Sequence, residues 1–121
     1  MVLVDTSVWV NHFRRRDPNL VQTLENGLVL MHPLVLGEIA SGNLHRRSEV
    51  LSDLQQLPAA VPAEHSEVMH FMEHHKFYAS GLGFIDMHLL ASALLSHCRF
   101  WTHDSRLVNA ATSLKIAFLP C

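Results

Sequence analysis

Met1-Val2-Leu3-Val4-Asp5-Thr6-Ser7-Val8 is the stretch that decides the fold. Four apolar residues, two of them β-branched, read as a short strand buried on both faces, as a central parallel strand is. The strand stops at an aspartate, two hydroxyl residues and a new apolar run, Val8-Trp9-Val10. Two readings of Asp5 stand side by side. An Asp or a Thr-Ser pair there can cap a helix, or Asp5 can sit at the carboxyl end of a parallel strand, where open α/β sheets place their ligands. The choice depends on whether other acids converge on it.

The 121 residues make one domain, spanning 1–121, large enough to bury about two-thirds of its unfolded surface. Hydrophobic residues at 49% and charged residues at 17% exclude a disordered chain. A net charge of −2 offers no global field for nucleic acid, so attraction to phosphate has to come from local arginines. Cys98 and Cys121 form neither a disulfide framework nor a zinc spacing, which points to a reducing cytoplasm. No apolar run approaches the ~18 residues of a membrane helix, so no membrane role is expected.

Outward from Asp5, a helix is expected over residues 7–13, ending in Arg14-Arg15-Arg16. These arginines either complement the negative pole of the helix or reach phosphates near a site. Asp17-Pro18 restarts a helix as N-cap and first turn, and Asn26-Gly27 ends it. Residues 28–31 read as a second strand and 34–40 as a helix. Glu38 is unusual there, because Leu34, Val35, Ile39 and Ala40 surround it with apolar positions. A buried carboxylate without a partner costs several kcal/mol, so a functional site is favoured over a partly exposed side chain.

Residues 46–57 read as an amphipathic helix, 59–61 as a weak third strand, and 63–78 as a histidine-rich helix. His70 and His74, one turn apart, have chelating spacing, but without a third ligand a solvated face is the better reading. After the loop Ser80-Gly81-Leu82-Gly83, residues 84–95 form the most apolar helix, with Asp86 in its first turn. Such a position complements the helix dipole without accounting for the apolar surroundings. Residues 99–102 read as a strand ending at Asp104, followed by a helix from Ser105, which repeats the arrangement at Asp5. Residues 114–119 read as a last strand. This alternation predicts a parallel α/β sheet.

Four of the eleven acids therefore share a feature: Asp5 and Asp104 end strands, Asp86 opens a helix, and Glu38 lies in an apolar one. In a parallel sheet, strand C-termini and the following helix N-termini share one edge, so Asp5, Asp86 and Asp104 can converge. Two carboxylates about 5 Å apart repel by about 3 kcal/mol at an effective dielectric of ~20. The two lysines, Lys76 and Lys115, are not placed to neutralise them. A divalent cation is the economical answer, and all-oxygen ligands select magnesium or manganese over zinc.

The strand Val2–Trp9, Glu38 in its helix, residues 83–93 and residues 101–107 together resemble a PIN-domain ribonuclease, and more narrowly the VapC toxins of bacterial toxin–antitoxin pairs. The resemblance covers almost the whole chain in order, except for residues 41–78. It implies a PIN-like three-layer α/β/α fold with a central, mainly parallel sheet of four to five short strands. It also implies an endoribonuclease site holding one or two Mg²⁺ or Mn²⁺ ions, with Asp5, Glu38, Asp86 and Asp104 as both catalytic residues and metal ligands. Thr6, Ser7 and Thr102 would support the metal or its waters, and Arg14, Arg15, Arg16, Arg99 and Arg106 are candidate phosphate contacts. The partners so implied are an RNA substrate, a VapB-like antitoxin covering the acidic site, and a second copy in a homodimer. Such toxins act in the cytoplasm.

Other α/β phosphoryl-transfer families fit less well. A haloacid-dehalogenase arrangement wants an aspartate where Ser7 stands, and a receiver domain wants an acidic pair near the first strand, where Asp5 is alone. A degenerate PIN module that only binds RNA or protein would not need all four acids.

Overall fold

The computed structural model describes residues 1–120; Cys121 lies outside the described residues. Strand β1 (Val2–Val4) is buried along its whole length and pairs in parallel with β2 (Val29–Leu30) on one side and β3 (Arg99–Trp101) on the other. The sheet order is β2-β1-β3. The chain therefore leaves β1 toward one neighbour and later returns to the other. Strand order reverses beside β1, and a crevice opens at such a point beyond the strand carboxyl ends. Asp5 stands there, its N–H donating to the Trp101 carbonyl at 2.8 Å as the last rung of the ladder.

Among the described residues the expected four to five strands reduce to three, with a single parallel bridge on each edge: Met31 to Ala59 and Phe100 to Ala117. The weak strand at 59–61 is flanked by Pro58 and Pro62, which lack the N–H that a ladder needs. The last segment carries a positive φ at Lys115 and pairs only around Phe100.

Among the described residues seven helices accompany the sheet: α1 (Thr6–Arg14), α2 (Pro18–Glu25), α3 (Pro33–Ser41), α4 (Arg47–Gln55), α5 (His65–His74), α6 (Phe84–Leu95) and α7 (Ser105–Ser113). Asp17 caps α2, with Pro18 at its first position, and Gly27 takes φ +67° just past its end. The histidine-rich helix is shorter than the expected 63–78: it stops at His74, and Lys76 and Ala79 adopt positive φ. α6 is apolar enough to lie in the interior, burying six residues from Met87 to Ala93. Trp9, Trp101, Phe100, Leu3 and Leu90 anchor one continuous core. Truncating Leu3 to alanine there would cost about 2–5 kcal/mol. Among the described residues no helix is long and apolar enough to cross a membrane.

Candidate active site

Asp5 is 7% exposed, and its side chain does not cap α1. Oδ2 instead accepts two hydroxyls, Thr102 at 2.7 Å and Ser7 at 2.8 Å. These hydroxyls are tied in turn: the N–H of His103 donates to Ser7 Oγ at 3.1 Å, and the N–H of Asp104 donates to Thr102 Oγ1 at 3.1 Å. Residues at the ends of β1 and β3 are thus knotted together, which follows from the two strands being parallel neighbours in register. Oδ1 of Asp5 accepts no hydrogen bond among the described residues.

The other acids follow the same rule of one oxygen held and one free. Asp104 caps α7, its Oδ1 accepting the N–H of Arg106 at 2.9 Å. Asp86 reaches back from the first turn of α6 to the N–H of Gly83 at 2.9 Å, through Oδ2. Glu38 Oε1 accepts the Thr6 hydroxyl at 2.8 Å, joining α3 to α1. Among the described residues the only ion pair is Arg46 with Glu49, so no side-chain cation neutralises any of the four.

Burial, then the charges of Asp5 and Asp104, raise the Asp86 carboxyl above its ordinary value, against the lowering effect of the Gly83 N–H. That mutual influence places the three aspartates in one electrostatic neighbourhood. Glu38 corrects the expectation of a buried carboxylate. It is exposed, because α3 turns Val35 and Ile39 to the core while Leu34, Leu36 and Ala40 are only half-covered. Apolar neighbours in sequence did not close around it.

No three acidic, imidazole or thiol groups among the described residues close into a ligand set able to hold an ion. The donor chemistry nevertheless fits a hard cation: four carboxylates, each with a free oxygen and without a pairing ammonium or guanidinium. The His70–His74 pair stacks ring on ring at 5.9 Å on exposed α5 positions.

The arginines divide. Arg14, at the end of α1, lines a hollow with Thr6, Ser7 and His103, beside Asp5. Arg15 and Arg16 follow it as exposed residues. Arg99 begins β3, at the opposite end from the acids, and donates to the Ala117 carbonyl at 3.0 Å. Arg106 donates from Nη1 to the Gly81 carbonyl at 3.0 Å and so braces the loop before Asp86. The backbone donors of His103 and Gly83 escaped sequence reasoning; the glycine before α6 was the one visible signal.

A parallel α/β fold with acids gathered beyond its central strand defines a class, and the chain belongs to it: it is a member of the PIN domain family, matched over residues 2–112. Within that family its likeness is to the VapC type. It is 39% identical over 118 residues to Ribonuclease VapC32 of Mycobacterium tuberculosis, strains CDC 1551 / Oshkosh and ATCC 25618 / H37Rv, covering 97% of this chain and 95% of the relative. The crystal structure of PAE2754 from Pyrobaculum aerophilum superposes with a TM-score of 0.59 over 89% of this chain and 77% of that one, at 18% identity, a likeness of fold.

Proposed function

We propose that this protein is a metal-dependent endoribonuclease, the toxin of a toxin–antitoxin pair, using Mg²⁺ or Mn²⁺ to hydrolyse RNA phosphodiester bonds. The observation that carries this reading is the set of four carboxylates, each anchored through one oxygen and free at the other, with no cation paired to them. Asp5, Asp86, Asp104 and Glu38 would hold the ion. When bound, a divalent cation lowers the pKa of its water and neutralises charge developing on the phosphate.

The chain's own residues supply orientation. Ser7 and Thr102 fix the Asp5 carboxylate, Thr6 fixes Glu38, and Gly83 fixes Asp86. Asp86, held through one oxygen by the Gly83 N–H, keeps its other oxygen free toward the ion and its water. Arg14 stands beside the acids to position a phosphate. The relative's name, VapC32, supports a VapB-like antitoxin as partner. The exposed Phe84, Ile85 and Leu95 on α6 favour burial against a second copy in a homodimer.

Purified protein incubated with total RNA tests this directly. Cleavage products should form with Mg²⁺ or Mn²⁺ and vanish on adding EDTA; intact RNA in both cases overturns the reading.

A further inference from the structure

A second hollow adjoins the acids. It lies between α1, α3 and the segment 42–46, has a volume of about 580 Å³, and includes Phe13, Arg14, Glu38, Asn43 and Leu44 in its lining. We propose that this hollow is a nucleobase subsite, which takes one unpaired base of the RNA strand next to the scissile phosphate and sets cleavage preference there. The inference rests on the nuclease reading and adds the place where the substrate is recognised.

Three features carry it. The first is position: Glu38 belongs both to the carboxylate set and to the lining, and Arg14 lines this hollow as well as the one beside Thr6, Ser7 and His103. A strand whose phosphate meets the acids therefore has its neighbouring nucleotide at this wall. The second is chemistry. Single-stranded RNA is recognised by stacking splayed bases on aromatic rings and hydrogen-bonding their edges. Phe13 is 38% exposed, and its ring stacks on buried Trp9 at 6.0 Å and 27°, so it is a braced platform. Val10, Ile39 and Leu44 supply an apolar floor, while the Asn43 amide and His45 imidazole can pair with a base edge.

The third is charge. Arg46 is paired with Glu49 at 2.8 Å, whereas Arg14 has no ion-pair partner among the described residues and is free for phosphate. The volume falls in the range of small-ligand sites, roughly 300–1,000 Å³. An apolar segment of a protein partner could use the same floor; the braced ring beside an arginine without an ion-pair partner among the described residues favours a base next to a phosphate.

The test is the affinity of the Asp5→Asn protein for short, labelled single-stranded RNA with Mg²⁺, read by fluorescence anisotropy so that no turnover is needed. Adding Phe13→Ala should weaken binding about tenfold, and Phe13→Tyr should restore it. Adding Arg14→Ala should lower the salt slope by about 0.7. In a series of oligomers with one abasic nucleotide each, one position should weaken binding to the parent and not to the Phe13→Ala protein. Unchanged affinity in both Phe13→Ala and Leu44→Ala overturns the subsite and leaves the hollow to a protein segment. Failure of the nuclease reading shows separately, as wild-type protein that cuts no RNA.

Discussion

The Thr102 hydroxyl donates to Oδ2 of Asp5 at 2.7 Å, a buried bond between residues 97 positions apart in sequence. The same oxygen of Thr102 accepts the Asp104 N–H, so one side chain orients two of the four acids. Thr102→Val keeps the shape and removes the hydroxyl, leaving a polar N–H without its acceptor. Stability should fall by about 1–3 kcal/mol in urea unfolding, and RNA cleavage should slow roughly tenfold. Thr102→Ser should recover most of both. A valine variant with wild-type turnover would reduce Thr102 to a packing residue.

Asp86 should change sign with metal. Burial and the charges of Asp5 and Asp104 penalise its ionised form. In EDTA, Asp86→Asn should therefore melt at a higher temperature than wild type, since the asparagine oxygen can still accept the Gly83 N–H. In Mn²⁺ at a hundred times its Kd, binding to the folded state adds about 2.7 kcal/mol to wild type, and the order of melting temperatures should reverse. Parallel curves with and without metal would contradict a shared acidic site.

His32 makes stability depend on pH. It is 2% exposed; Nδ1 accepts the Leu34 N–H at 3.0 Å to cap α3, and Nε2 has no partner among the described residues. Burial, with a smaller push from His88, lowers its pKa from 6.5 to about 4. The unfolded chain takes up this proton near pH 6.5 and the folded one only near pH 4. Its contribution is therefore complete above pH 6.5 and is lost as pH falls toward 4, by about 3 kcal/mol in all. His32→Asn retains a capping oxygen and should flatten the denaturation midpoint between pH 6.5 and 4. An equally steep profile would assign the loss to other groups.

Arg106 braces the loop that leads to Asp86. Its guanidinium donates to the Gly81 carbonyl, and Gly81 has φ +88°, where an added Cβ would crowd Arg106 Nη1 at 3.0 Å. Arg106→Ala should raise hydrogen exchange at Leu82 to Phe84 and slow cleavage severalfold. Gly81→Ala should cost about 1 kcal/mol or more through strained backbone. Unchanged exchange in Arg106→Ala would remove the brace.

Much of this was legible in the chain, for identifiable reasons. Val2-Leu3-Val4 and Phe100-Trp101 announce buried parallel strands because both faces are apolar, and each is followed by an acid. Asp17-Pro18 and Asn26-Gly27 announce helix ends because their backbone preferences are local. Long-range bonds left less trace: the strand-end acid Asp104 points toward Asp5 without showing that the Thr102 hydroxyl reaches it, and nothing near Arg106 indicates Gly81. Glu38 is exposed against expectation because periodicity does not say which half of a mostly apolar helix meets the core. Asp5 was legible as a strand-end acid, and its two hydroxyl partners settle against helix capping.

Asp5, held by Ser7 and Thr102, is the residue on which the proposed RNA hydrolysis depends most. The direct measurement is the single-turnover rate of RNA cleavage in Mn²⁺ by wild type and by Asp5→Asn, with circular dichroism to show both are folded. The rate should fall roughly a thousandfold, about 4 kcal/mol of transition-state stabilisation. A folded Asp5→Asn protein that cuts within about twofold of wild type, a difference under about 0.5 kcal/mol, would contradict this dependence.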